Sequence, residues 1–362
     1  ADVSGWTESD WNALPGNGIQ LSGDDCILRG NELLNVNFGI SVTGEGALVE
    51  RNTVTNFAGD GLRGLGDHGT FQYNVIANAY AVNSNHDDGF QSWSVGDDGV
   101  GTGEVIGITL RGNTIINYQD PNQPFRGTLQ GIGCFDGTFV DWVVENNVII
   151  TDHWHGITLL GARNSRIVNN TVVDLNTDSP GPPWISIDDH KDGTPSEGTL
   201  VRNNLTTALN LGAEGVTEDH NIIVDDPALH FVDYAGRDLH LIATSPAVDQ
   251  GVADQAPSFD RDEIYRPQGP ALDIGAYEYY EGTPDPPPGT GGGGAGAGGA
   301  ATGGAGAGAG ASGGGGAGSG VTSPEDDGGC GCREAGRSNG SAAWLMVLAL
   351  GWLSRTRRAK AG

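Results

Sequence analysis

Between residues 20 and 225 short apolar runs alternate with glycine- and asparagine-rich breaks, without a helical period. An asparagine leading into an apolar run recurs at Asn31-Glu32-Leu33-Leu34, Asn52-Thr53-Val54, Asn74-Val75-Ile76 and Asn113-Thr114-Ile115-Ile116. It continues at Asn147-Val148-Ile149-Ile150, Asn170-Thr171-Val172-Val173, Asn204-Leu205 and Asn221-Ile222-Ile223. Successive asparagines are 21, 22, 39, 34, 23, 34 and 17 residues apart. The base period is about 22 residues, and the long intervals read as one period plus an insertion.

A second strand recurs between the asparagine phrases. It reads Gly39-Ile40-Ser41-Val42, Gly61-Leu62-Arg63-Gly64, Gly89-Phe90-Gln91-Ser92, Gly131-Ile132-Gly133-Cys134, Gly156-Ile157-Thr158-Leu159 and Trp184-Ile185-Ser186-Ile187. Short β-branched strands at this period predict an all-β chain folded as a right-handed parallel β-helix. No single coil closes its own core, so stacking must bury the apolar columns. The repeated asparagines are expected to form an internal ladder, a structural role without chemistry. The pattern resembles the pectate-lyase-like β-helix superfamily. That resemblance is one of architecture, and it implies polysaccharide lyases, hydrolases, epimerases and non-catalytic surface proteins alike.

Composition divides the 362 residues further. The net charge is -28, and it belongs to residues 1–280. A nucleic-acid binder needs a basic footprint, so that class is excluded. Glycine makes up 19 of the 32 positions at 289–320, a stretch that buries nothing and reads as a flexible tether. Residues 330–362 carry six basic residues and one acid. They run from Cys330-Gly331-Cys332 through an apolar segment, 342–353, to Arg355, Arg357, Arg358 and Lys360. This order resembles the myxobacterial C-terminal sorting tail, MYXO-CTERM. The resemblance implies export, recognition at the membrane by sorting machinery, and processing or anchoring at Cys330 or Cys332. The start, Ala1-Asp2-Val3-Ser4, suits a mature N-terminus after removal of a leader.

Residues 239–280 contain Ser245-Pro246-Ala247-Val248-Asp249-Gln250-Gly251, then Arg266-Pro267, then Asp273-Ile274-Gly275-Ala276-Tyr277-Glu278. They resemble the choice-of-anchor Q module of surface proteins. A β-helix end is an open sheet edge that needs a cover, so this module is expected to cap it. The expected organisation is a lead-in or cap at 1–19, the β-helix at 20–238, the capping module at 239–281, a Pro/Gly-rich linker at 282–329 and an anchor segment at 330–362.

Insertions near 94–104, 119–130, 176–183 and 190–198 all adjoin the Gly-apolar strands, which places a functional groove there. Aligned on the glycine, Asp60, Asp88, Gln130 and His155 occupy one slot in successive coils, and Arg63 and Gln91 another. Coils are about 4.8 Å apart, so these side chains are expected to cluster on the outer surface. His86, Trp93, Asp136, His153 and Asp189 extend the candidate substrate contacts, and Phe135, Trp154 and Trp184 offer sugar-stacking rings. A lyase would use Arg63 or His155 as base, with calcium on Asp87 and Asp88. A hydrolase would use two carboxylates, Asp60 with Asp88 or Asp88 with Asp136. Each group also has a structural reading: 86–89 as a turn with Asx caps, 153–155 as an exposed coil edge, 188–193 as a solvated loop, Arg63 as an ion pair. The function expected is exported, surface-anchored binding and cleavage of polysaccharide. The alternative is a non-catalytic adhesion or structural β-helix. Gly23-Asp24-Asp25-Cys26 echoes a polygalacturonase motif but occupies the turn slot filled elsewhere by Gly44-Glu45-Gly46 and Gly66-Asp67-His68. Cys26 and Cys134 are expected to fill small interior positions without pairing.

Overall fold

The inward asparagines set the period of the fold. In a computed structural model describing residues 2–118, 120, 122–288 and 332–334, Asn31, Asn52, Asn74, Asn113, Asn147, Asn170, Asn204 and Asn221 form one continuous ladder. Each amide nitrogen donates to the amide oxygen of the next coil's asparagine. Within the ladder, that same oxygen also accepts from the preceding asparagine's backbone N–H, as at Asn113 and Asn147. The residue before the ladder position turns the corner with positive φ: Arg51, Tyr73, Asn146, Asn169 and Asn203 all lie between 53° and 57°. Asparagine tolerates this conformation better than most residues, which explains the Asn-Asn doublets at 146–147, 169–170 and 203–204.

The coils stack as a right-handed parallel β-helix with three long sheets. Sheet I carries the Gly-apolar strands Ile19–Leu21, Ile40–Val42, Leu62–Gly64, Asp88–Trp93, Gln130–Asp136, His155–Leu160, Trp184–Asp188 and Leu209–Leu211. The segment Cys332–Glu334 pairs antiparallel with its first strand. Sheet II includes Leu48–Glu50, Thr70–Gln72, Thr109–Arg111, Val143–Glu145 and Arg166–Val168. Sheet III includes the strands after the ladder asparagines, such as Thr114–Ile116, Val148–Thr151 and Thr171–Asp174. The interior is dry and aromatic at its middle, where Phe71, Phe90, Phe139 and Trp142 meet edge to face. The glycines opening the sheet I strands are required by contact across the core. A Cβ on Gly89 would lie 2.4 Å from Ile115, and one on Gly156 would lie 2.4 Å from Val172.

One expectation about the ends needs correcting, the seat of the C-terminal module. The lead-in forms a short helix, Glu8–Ala13, capped by Thr7 and Asp10, whose buried Trp11 packs beside Ala58, Tyr80 and Val82. The C-terminal module lies along the side of the solenoid, not over its end. Its contacts run from Asn203 through Asn169, Asn146 and Thr114 to Arg51. Leu239, Leu241, Ala247, Ile274 and Ala276 form a second core with Ile116, Ile150 and Val173 of sheet III. Apolar side chains on that outer face, rather than unpaired strand edges, are what the module buries. The module also begins before residue 239, because Asp238–Leu241 pairs with Phe231–Asp233. Inside it, Arg266 and Glu278 form a buried ion pair at 2.8 Å, and Arg266 also binds the carbonyls of Asp273 and Gly275, while its Nε is buried without an acceptor.

The linker beyond 288 and the tail lie outside the described residues, apart from Cys332–Glu334. Among the described residues no helix is long and apolar enough to cross a membrane. Cys26 is disulfide-bonded and Cys134 is free and buried, so these two do not pair with each other. The turn at Asp24-Asp25 stacks beneath Glu45-Gly46, consistent with a structural turn.

Candidate functional site

The residue before each of these sheet I glycines lies just ahead of the strand, as Asp60 does, or opens it, as Asp88, Gln130 and His155 do, and the residue three later lies beside it. The two therefore meet within each coil. Arg63 Nε donates to Asp60 at 2.5 Å, Gln91 Nε2 donates to Asp88 at 3.0 Å, and His155 Nδ1 lies 2.9 Å from the Thr158 hydroxyl. Strand register places Asp88 beside Gln130 and His155 beside Trp184. The slot alignment thus holds, but depth does not follow it. Asp60, Asp87, Asp88 and Gln130 are buried beneath the outer surface instead of lying on it. At the very start of a strand a side chain follows the packing of the preceding turn rather than the alternation of the strand.

Burial dominates the electrostatics. Arg63 acts on Asp60 and Asp88, and His86 on Asp60, while Asp87 has only the neighbouring Asp60 charge. Loss of hydration pushes Asp87 up to about 8, with the Asp60 charge adding to the shift. Desolvation and both neighbouring carboxyls push Asp88 well above the usual range. Asp60 is raised by burial and opposed by Arg63, so it is the readiest of the three to ionise. One oxygen each of Asp60, Asp88 and Gln130 is buried without a hydrogen-bond donor. The Asp88 oxygen fills space left by the missing side chain of Gly133, where a Cβ would come within 2.2 Å. Phe135 lies over the same gap.

Above the carboxyls runs a row of rings. The Arg63 guanidinium is sandwiched between Phe38, at 3.8 Å, and Trp93, at 5.3 Å. His155 touches Phe135, Trp184 and His153, and Trp184 stacks in parallel with the exposed Trp154. Burial and the neighbouring His153 pull His155 down to about 4, so it is neutral at physiological pH. The insertions adjoin the ends of sheet I strands: 94–104 and 190–198 follow them, and 122–129 and 176–183 precede them.

Not every expected residue joins the cluster. Asp136 ends the Gln130–Asp136 strand, about 20 Å from the Asp88 slot at ~3.3 Å per residue. It pairs with Lys191 at 2.7 Å, so the Asp88–Asp136 pair is not assembled. Asp189 accepts from the Ser196 N–H, and Asp192 from the Thr194 N–H, as a self-capped loop does. His86 is exposed at the rim. Among the described residues no group of three or more His, Cys, Asp or Glu is arranged to hold a metal. Gly133 and Thr158, in the same slot as Arg63 and Gln91, join the site as the alignment places them, and Phe38 completes it without having been singled out. Phe38 was detectable, since it precedes Gly39 in the slot of Asp60.

The fold and this face define a right-handed parallel β-helix with a strip of carboxyls and aromatic rings along sheet I. The family model described as right handed beta helix region matches residues 17–180. Among solved structures, pectate lyase Pel9A is similar at 18% identity and a TM-score of 0.44, covering 76% of each chain. No curated protein matches.

Proposed function

We propose that the groove on sheet I binds a polysaccharide and hydrolyses it by acid–base catalysis. The observation that carries this reading is the trio of buried carboxyls, two of them beside Arg63, lying next to a row of sugar-stacking rings. Asp87, protonated near neutral pH, is the general acid toward the glycosidic oxygen. Asp60, charged beside Arg63, is the carboxylate partner. It lies one coil away, ~4.8 Å along the axis, close to the short separation of retaining glycosidases. Asp88 and Gln91 hold the cluster from below. Trp93, Phe135, His155 and Trp184 contact the sugar. Arg63 and Lys191 are both already paired, so neither is free to neutralise a uronate, which favours a neutral glycan.

A second reading is favoured by the orphaned oxygens of Asp60, Asp88 and Gln130, since oxygen donors suit calcium. Calcium on Asp87 and Asp88 would neutralise the cluster together with a uronate carboxylate. The full chain, incubated with neutral and acidic glycans with and without calcium, separates these cases. New reducing ends without unsaturated-uronide absorbance are expected. Unsaturated products that require calcium would replace hydrolysis by elimination. Glycan binding without either product would leave an adhesion module.

We also propose that the chain is exported and held at the cell surface by residues 330–362. The cysteine pair, apolar run and arginine cluster support this. The full chain is expected in the membrane or surface fraction, and a chain ending at residue 288 in the medium. Equal release of both would remove the anchor.

A further inference from the structure

The two ends of the solenoid are covered unequally. No coil lies beneath the first one, yet its inward residues Leu21, Cys26 and Leu28 are buried. At the far end Leu209, Leu211 and Val216 are only partly buried. The first strand of sheet I, Ile19–Leu21, also has a neighbour on its outer side. The Ile19 N–H donates to the Gly39 carbonyl and the Leu21 carbonyl accepts from Thr43, so residues 19 and 21 serve the next coil. Backbone groups along a strand alternate between its two neighbours, which turns the Gln20 N–H and C=O outward as an open edge. Cys332–Glu334 fills that edge with Arg333 opposite Gln20. Among the described strands of sheet I it is the one antiparallel neighbour.

A count of cysteines leads to the same place. The sequence has four. Cys26 is disulfide-bonded and Cys134 is free, which leaves Cys330 and Cys332 as partners for Cys26. Cys332 stands opposite Leu21, five residues before Cys26. Chain length permits the return. Residues 289–331 supply 43 positions between the lateral module and this strand. The stack of coils is only about 35 Å long at ~4.8 Å per coil, and about a dozen extended residues cover that distance.

We infer that the tail is stapled to the first coil: the strand at 332–334 covers the open edge of sheet I, and a disulfide from Cys26 to Cys330 or Cys332 locks it there. Forming the bond removes two thiol protons and two electrons. A donor disulfide, that of a thiol oxidoreductase or of oxidised glutathione, takes them up and becomes two thiols. The staple does not depend on the proposed anchor, but it leaves the anchor one tail cysteine instead of two. Reduction releases the strand and re-exposes the edge.

The test uses the full chain, oxidised with glutathione disulfide, alkylated without reduction and mapped by mass spectrometry. Cys26 should be found linked to the peptide that carries Cys330 and Cys332. Amide hydrogen exchange at Gln20 should be slow, and about tenfold or more faster after mild reduction or in Cys26→Ser. Cys134→Ser should keep both the link and the slow exchange. Cys26 found alkylated, or joined to a second chain, would overturn the staple. So would equal exchange at Gln20 in the oxidised and reduced chains. Mapping and reduction of the parent chain need no variant, so the test stands even where Cys26→Ser fails to fold.

Discussion

Asn147→Leu is expected to destabilise the solenoid by about 4 kcal/mol, on the basis of ~1–3 kcal/mol for each buried polar group left unpaired. The Asn147 oxygen accepts from the Asn113 backbone N–H and side-chain amide, both at 3.0 Å. Its nitrogen donates to the Leu110 carbonyl at 2.9 Å and to Asn170 at 3.0 Å. Leucine removes all four bonds and leaves the Asn113 N–H and the Leu110 carbonyl in a dry core, without water to replace the lost partner. A domain's whole stability is only about 5–15 kcal/mol, so the loss should be visible as a large drop in the urea midpoint. Asn31→Leu is the control. Asn31 stands at the end of the ladder, half-buried, where solvent can serve its freed partners. Its cost should stay below about 1 kcal/mol. Equal costs at the two positions would mean that the interior rungs contribute no more than the terminal one.

The ladder was readable because its cause is local and repeats: a buried backbone needs the same amide once per coil, so Asn31 through Asn221 recur in register. The groove was readable for a similar reason, since insertions cannot enter a stacked core and so gather at strand ends. Depth was not readable. Asp60 lies just ahead of a strand and Asp88 opens one, where neither strand alternation nor repeat alignment says which way a carboxyl points. Asp136 was misjudged because chain alignment reports the coil but not the distance along the strand. The lateral seat of the C-terminal module did leave a trace. The third residue after the ladder asparagine is Leu34, Thr55, Ala77, Ile116, Ile150 and Val173 in successive coils. Leu34 is exposed, while Ala77, Ile116, Ile150 and Val173 are buried under the module. A run of apolar residues on what should be an outward position signals a partner surface.

Stability should fall as pH rises from about 6.5 to 8, and Asp87→Asn should remove the share due to Asp87, leaving those of Asp88, Glu278 and His240. Asp87 releases its proton near pH 3.8 in the unfolded chain but near 8 when folded. Between those values the folded state holds a proton that the unfolded state has lost, so its stabilising effect declines with rising pH. Each pH unit is worth about 1.4 kcal/mol for such a group, or about 2 kcal/mol across this window. Below pH 6.5 the slope is blunted by His155, which is held neutral when folded and so gains stability as pH rises from about 4. His240 is raised to about 9 by Asp262 and Asp238, so it adds to the decline above 6.5, and His240→Gln isolates its share. Urea midpoints at pH 6.5 and 8 for the parent chain, Asp87→Asn and His240→Gln measure the contributions. The same proton serves the proposed reaction, so hydrolysis should fail as pH passes about 8. Asp87→Asn should lower the rate by roughly 10²–10⁴ at neutral pH, the usual worth of a general acid. An unchanged midpoint slope in Asp87→Asn would show that Asp87 is not held protonated. A normal slope change with an unchanged rate would keep the buried proton and remove Asp87 from the chemistry.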